Sequence, residues 1–504
     1  MIRRMTAMLL GAALLSGCAI GPDYQRPGMD LPSAWRAESA DAGMVAGEKW
    51  WTLFGDATLD ALEEEALAAN GDLATAMANV DASRAQLTVA TSYLLPSITG
   101  QGSSVRQRGS ERGQNPPVEG REVTDLHKAS ALASFELDLW GKYRRAHEAA
   151  RAGLLGTEAA YATVRLAVVS QVAQSYFGLR AADRQLDIAR QTLTSREESL
   201  KIREARFNSG LTSELDYRQA QAETASARAS VRQLEQAVAA AETALSSLLG
   251  RSPRDIVERS PERGLDIETF AVPPQIPAGL PAGLLARRPD VARAEADLHY
   301  ATASIGVAKA DLLPAISLTG LMGYESIDLT RLVSSSSGTW SYGASATMPL
   351  LDFGRTLANI DMADAKQRAA LAAYEQAVRD AFRETQDALV ANRKTRQVVD
   401  AQATQVAALE RSLTLARLRY ENGYSSYLEV LDAERSLFQA QLNLVEARRN
   451  QLDAVVQVCK SLGGGWKAPG EEGADATGAA EAASGDADDA APQGVAPTPP
   501  RTGG

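Results

Sequence analysis

The chain alternates between two periods. From Asp56 to about Ser92 apolar residues recur at helical spacing, with Leu59, Leu62, Ala66, Leu67, Leu73 and Met77 forming one stripe. Leu94-Leu95-Pro96 ends it. Ile98 to Arg106 is rich in Gly and Ser, and Gly109 to Gly120 is a polar loop containing Pro116 and Pro117. Phe135-Glu136-Leu137-Asp138-Leu139 then alternates strictly, which predicts a strand with one apolar face and hence a hairpin with a long loop. No proline occurs between Pro117 and Pro253, which permits very long helices. A helix from Gly141 to Phe207 would span roughly 100 Å at 1.5 Å per residue. Along it Leu179, Leu186, Leu193, Leu200 and Phe207 recur every seven residues, a coiled-coil seam. Asn208-Ser209-Gly210 breaks the helix. The chain returns through Leu215 to Leu249, and Gly250 and Pro253 stop it.

After a Pro-rich linker the programme runs again. Leu312-Leu313-Pro314 repeats Leu94-Leu95-Pro96, and Asp352-Phe353-Gly354 repeats Leu139-Trp140-Gly141. Tyr420-Glu421-Asn422-Gly423 repeats Phe207-Asn208-Ser209-Gly210, and Leu462-Gly463 repeats Leu249-Gly250. The last three matches share one offset, 213 residues, so no net insertion separates them. Such a register marks an internal duplication. The second copy carries the clearer strand: Trp340, Tyr342, Ala344, Ala346 and Met348 fall on one face, and Ser341, Gly343, Ser345 and Thr347 on the other. Apolar on one side, small or polar on the other, with aromatics at one end, is the pattern of a transmembrane β-barrel. A half-buried strand of a soluble sheet would also show it.

Of the 504 residues 45% are apolar but only 5% aromatic, which suits long close-packed helices better than a thick globular core. The net charge of −11, with no basic stripe, gives no reason to expect nucleic acid. Arg3 and Arg4 followed by the short apolar run Ala7 to Leu15 read as a sorting signal rather than a membrane span. Leu15-Ser16-Gly17-Cys18 resembles the bacterial lipobox, in which the cysteine is lipidated; an ordinary cleaved signal with an incidental cysteine is the plainer alternative. Two acyl chains suffice for stable anchoring. Cys459 then remains alone and cannot form an internal disulfide. The chain thus divides into a lipoprotein signal peptide (1–17), a lipid-anchored arm (18–55), a first repeat (56–250), a linker (251–283), a second repeat (284–463) and an acidic Ala/Gly/Pro-rich tail expected to be disordered (464–504).

Each repeat offers two strands, so the chain offers four. Four strands cannot close a barrel, and an open edge in lipid leaves backbone groups unsatisfied, so several chains must share one barrel. The long hairpins, with little aliphatic bulk, suit the staves of a hollow cylinder. The expected fold is mixed: mainly long α-helices forming an α-barrel, plus a transmembrane β-barrel with four strands per chain, in a homo-oligomer.

Several short motifs in order resemble one family. Cys18-Ala-Ile-Gly-Pro-Asp-Tyr-Gln-Arg-Pro27, Trp50-Trp51, Asn70-Gly-Asp-Leu73, Leu285-Ala-Arg-Arg-Pro-Asp290, Ile316-Ser-Leu-Thr-Gly320 and Tyr427-Leu-Glu-Val-Leu-Asp-Ala433 look like the outer-membrane factor lipoproteins of tripartite efflux pumps, the NodT or TolC/OprM-like group. The resemblance implies a homotrimer in outer-membrane lipid, with a twelve-stranded barrel and a twelve-helix periplasmic tunnel. It also implies a periplasmic adaptor and an inner-membrane RND-type transporter as partners, and no cofactor beyond the covalent lipid on Cys18. By the same resemblance Gly210 and Gly423 are the hairpin tips that adaptors contact. Asp432 and Leu428, one turn apart on a helix face, match the carboxylate and apolar constrictions of a periplasmic gate, with Glu429 a further acidic position. Tyr420 and Asp216 match a pair tying the hairpins together in the closed state. Ser425 stands where one branch of the family carries a basic partner, and Arg435 is the candidate substitute.

Read without the family, Glu429 and Asp432 could equally be a solvated helix face. The three histidines, His127, His147 and His299, have no clustered partners, and no catalytic triad spacing, phosphate loop or metal motif occurs, so an enzyme is not expected. The alternative from another class is a lipid-anchored periplasmic coiled-coil scaffold or adaptor without a pore, which leaves the duplicated hairpins unexplained.

Overall fold

In a computed structural model the described residues are 19–33, 35, 47–114, 116, 118, 122–273 and 283–467; Cys18 and the acidic tail beyond Lys467 lie outside them. The chain runs α1 (Ala57–Ala69), α2 (Gly71–Ser92), β1 (Ser97–Arg108), β2 (Val123–Leu137), α3 (Lys142–Asn208), α4 (Glu214–Leu248), α5 (Pro253–Glu258), α6 (Leu284–Arg287), α7 (Pro289–Ala310), β3 (Ala315–Ser326), β4 (Gly338–Thr347), α8 (Arg355–Glu421) and α9 (Tyr427–Ser461). The register of 213 residues holds at every boundary of the two large hairpins: Lys142 and Arg355, Asn208 and Glu421, Glu214 and Tyr427, Leu248 and Ser461. Glycines in the left-handed region punctuate both copies at the same places, Gly141 and Gly354 before the long helices and Gly250 and Gly463 after the short ones.

The single helix expected from Asp56 to Ser92 is two helices. Asn70 breaks it, because its Oδ1 accepts from the N–H groups of Asp72 (2.9 Å) and Leu73 (3.2 Å) and so caps α2. The same side chain donates through Nδ2 to the carbonyl of Leu248 at 2.8 Å, so the end of α4 abuts the start of α2. In the second copy Arg288 Nη1 donates to the carbonyl of Ser461 at 3.3 Å, which joins the end of α9 to the start of α7. Each 67-residue helix therefore lies alongside two shorter ones laid end to end, α3 against α4 and α2, and α8 against α9 and α7.

Strand β2 is longer than the alternating motif and ends two residues earlier, at Leu137. Asp138 leaves the ladder because its carboxylate accepts from the N–H groups of Tyr143 (3.1 Å) and Arg144 (3.0 Å) and starts α3. The strand expected from Trp340 to Met348 is β4, which stops at Thr347 and is exposed along its whole length. The four strands form one antiparallel sheet in the order β1-β2-β3-β4, with β1 and β4 as free edges. The β2–β3 seam, which joins the two repeats, pairs His127 with Ser326 through Leu137 with Ile316.

The core sits where the helix ends abut. Trp50, Trp51, Phe54, Tyr176, Phe177 and Phe270 pack there with Leu245, Leu249 and, from the second copy, Tyr374, Val455 and Cys459. Two parts read as connectors in sequence belong to this core. In the linker, Ile267 and Phe270 are buried, and the N–H of Leu265 donates to Asp56, which also accepts from the Tyr176 hydroxyl at 2.7 Å. In the N-terminal arm, Tyr24 and Arg26 both donate to Glu295 of α7, at 3.0 and 2.7 Å. Along the heptad seam Leu179 and Leu186 are buried, whereas Leu193, Leu200 and Phe207 are half-buried toward the tip.

Candidate functional site: the distal ends of the hairpins

Both turns have one construction. Gly210 (φ 70°) donates to the carbonyl of Phe207 at 2.9 Å, and Leu211 to Arg206 at 2.8 Å; Gly423 (φ 75°) donates to Tyr420 at 3.0 Å, and Tyr424 to Arg419 at 2.9 Å. This paired closure of a helix end needs a residue in the left-handed region, which glycine adopts without a Cβ penalty. The backbone is therefore the same at both tips, and the side chains differ.

Arg203 of α3 is 8% exposed. Its guanidinium lies 4.5 Å from the ring centroid of Tyr420 and 4.2 Å from that of Tyr427, and its Nη1 donates to the Tyr420 hydroxyl at 2.6 Å. The Tyr427 hydroxyl is also 3.2 Å from Ser199 Oγ. Two turns up, Glu223 of α4 is buried between two cations. Arg196 pairs with it at 3.1 Å from within the first hairpin, and Arg435 reaches it from the second, with Nε donating at 2.9 Å. Hydrogen bonding to Glu223 and its charge hold the Arg435 guanidinium above its ordinary range. Beneath these contacts Ala220 packs on Tyr427, Val430 and Leu431. The two hairpins of one chain are thus fastened by an arginine between two tyrosines and by a carboxylate between two arginines.

Leu428, Glu429, Asp432 and Arg435 lie on the exposed side of α9, opposite Tyr427, Val430 and Leu431. Leu428 is 56% exposed. Glu429 is 3.8 Å from Arg419 of its own hairpin. Tyr420 and Asp216 do not meet within the chain: Tyr420 is taken by Arg203, and Asp216 accepts from Thr212 Oγ1 at 2.8 Å. Arg435 does fasten the hairpins, through Glu223. Sequence reasoning passed over Arg203, Arg196, Glu223 and Tyr427. A signal for the arginines was present, because Arg196 and Arg203 stand three residues after Leu193 and Leu200, on the seam that a coiled coil fills with apolar side chains. Comparison of the copies shows the same thing, since Ala416 and Ser436 occupy the positions of Arg203 and Glu223.

Among the described residues no helix is long and apolar enough to cross a membrane. Comparison with known proteins agrees on what such a molecule is. The chain is 35% identical over 463 residues, 90% of its length and 97% of the relative's, to the cation efflux system protein CusC of Escherichia coli O6:H1. It is 35% identical over 461 residues to the toluene efflux pump outer membrane protein TtgI of Pseudomonas putida, covering 90% of this chain and 96% of that one. The fold is similar to the crystal structure of the Campylobacter jejuni CmeC outer membrane channel, with a TM-score of 0.86 at 26% identity over 92% of this chain and 98% of that chain. The family model described as outer membrane efflux protein matches residues 62–251 and 280–464, one block for each repeat. The chain belongs to the outer membrane efflux protein family, and it is an exit channel of a tripartite pump in the outer membrane rather than an enzyme or a poreless scaffold.

Proposed function

We propose that three copies of this chain form one continuous conduit, anchored by lipid on Cys18 and closed at rest by the distal ends of its hairpins. The observation that carries this is the four-stranded sheet with two free edges and a fully exposed β4. Unpaired edges have no partner in hydrocarbon, so the sheet closes only by meeting further copies. Three chains give twelve strands and, below them, a ring of long hairpins.

In that ring the exposed side of α9 lines the mouth. Leu428 supplies an apolar ring, and Glu429 and Asp432 supply carboxylates that threefold symmetry multiplies, which favours cations in a narrow opening. Arg203 with Tyr420 and Tyr427, and Glu223 with Arg435, hold the second hairpin against the first. An adaptor that docks on the turns at Gly210 and Gly423 opens the mouth by parting them, and Asp216, at the foot of the first turn, restrains its side. The energy comes from an RND-type inner-membrane transporter, which also selects the cargo.

Outer-membrane fractions run without boiling test the ring. A heat-modifiable trimer with single-channel conductance in planar bilayers is expected, and a monomer that leaves the membrane once its lipid is removed would contradict it. Incorporation of labelled palmitate, abolished in Cys18→Ser, tests the anchor separately.

A further inference from the structure

Two corners hand the chain from the sheet to a long helix, 213 residues apart, each with a left-handed glycine before the helix, and they have opposite surroundings. At the first, the Trp140 carbonyl accepts from the N–H of Ile20 at 3.0 Å, and the Trp140 indole donates to the carbonyl of Pro314 at 2.8 Å. Lys142 pairs with Asp311 at 2.7 Å, and a Cβ placed on Gly141 would lie 2.7 Å from Ala19 Cα. At that corner Gly141 is buried and Leu139, Trp140 and Lys142 are half-buried. At the second, Phe353 is 91% and Leu350 90% exposed, Leu351 is exposed beside them, and a Cβ on Gly354 would meet open space. Phe353 is also the one non-glycine residue at positive φ among the described residues (52°), a conformation that needs surrounding contacts to hold it. Strand β4 ends at Thr347, three residues short of Leu350, the counterpart of Leu137 where β2 ends.

The partner of the first corner is the α7–β3 junction, Leu312-Leu313-Pro314, and the matching junction of the first repeat is Leu94-Leu95-Pro96, between α2 and β1. It lies beside the other free edge, and Tyr93, Leu95 and Ile98 around it are exposed. One bare corner and one bare junction thus stand at opposite edges of the same sheet.

We propose that Phe353, with Leu350 and Leu351, seats on the Leu94-Leu95-Pro96 junction of a second copy of this chain, repeating between chains the contact that Trp140 makes with Pro314 inside one. Phenylalanine has no N–H to donate, so the contact between copies is apolar where the internal one is hydrogen-bonded. Arg355 takes the place of Lys142 and faces Tyr93, the counterpart of Asp311, so a cation over a ring replaces the ion pair. The pairing of β4 with the neighbour's β1 extends toward Leu350. This inference rests on the closed ring proposed above.

The background for thiol chemistry is low, since Cys459 is fully buried and the Cys18 thiol is taken up by the lipid of the anchor proposed above. Phe353→Cys combined with Pro96→Cys is treated in outer membranes with a short bis-methanethiosulfonate, beside Trp140→Cys combined with Pro314→Cys. The first pair is expected to give dimers and trimers that revert to monomer on reduction. The second is expected to link within the chain and stay at monomer mass. If the first pair forms a trimer whose two introduced thiols do not link, the docking is overturned and the ring stands; absence of any trimer from the unmodified chain overturns both. If the paired cysteines prevent assembly, Phe353→Ala decides: the trimer should dissociate at a lower temperature, and an unchanged dissociation temperature overturns the proposal. Quenching of Phe353→Trp fluorescence by brominated lipid in excess of the parent's, to which Trp340 of β4 contributes, would also overturn it, because the corner would then face the bilayer.

Discussion

The tips of the two hairpins share a backbone to the residue and divide the chemistry between them. The first holds its charges inward: Arg203 and Glu223 are buried, and Phe207 stacks on Tyr217 of its own hairpin at 5.4 Å. The second turns two tyrosines and Arg435 toward those charges and sets Leu428, Glu429 and Asp432 on its open face. At the equivalent places the first hairpin has Leu215, Asp216 and Gln219. Duplication kept the geometry because glycine turns and helix lengths fix it. In the ring proposed above, divergence makes one copy the receiver and the other the moving, lining part of a mouth.

That division can be broken most strongly at Glu223. Glu223→Gln leaves the buried Arg196 without its counter-charge and releases Arg435, at a cost of about 3 kcal/mol to the join. Hydrogen exchange at the starts of both α4 and α9 should quicken. Arg203→Ala comes next. It removes a guanidinium from between two rings, at about 2 kcal/mol, and should loosen α9 without disturbing the Gly210 turn; equal loosening of both tips would count against an asymmetric clasp. The lining function is sharpened by matched substitutions at equivalent positions. Asp432→Ala should raise conductance and weaken cation preference in planar bilayers, while Gln219→Ala changes neither, and unchanged selectivity in Asp432→Ala would remove it from the mouth. The smallest effect belongs to Phe207→Ala, about 1 kcal/mol of stacking lost within the first hairpin, with conductance as in the parent.

Much of the fold could be read in advance because its signals are local. Absence of proline, glycine at helix ends and a fixed register between copies are properties of short stretches, and they place α3, α4, α8 and α9. Asn70 was harder, since the Asn70-Gly71 step falls inside a continuous apolar stripe and the break is also held by a carbonyl 178 residues away. The packing of Ile267 and Phe270 was hidden for the same reason: a Pro-rich stretch reads as a connector until the aromatic cluster it covers is known. At the site, family resemblance pointed to the turns at Gly210 and Gly423 and to Tyr420. It did not show that Tyr420 is held by Arg203, because the pairing crosses two helices and joins positions where the copies differ. The charged residues on the apolar seam were the clue, and their meaning comes from what faces them.

The central claim is that the hairpin clasp closes a conducting mouth. The direct measurement is single-channel conductance of the purified trimer in planar bilayers, for the parent and for Arg203→Ala combined with Arg435→Ala. A small, cation-preferring conductance in the parent that rises severalfold in the double variant is the predicted result. The same conductance in both would contradict the account.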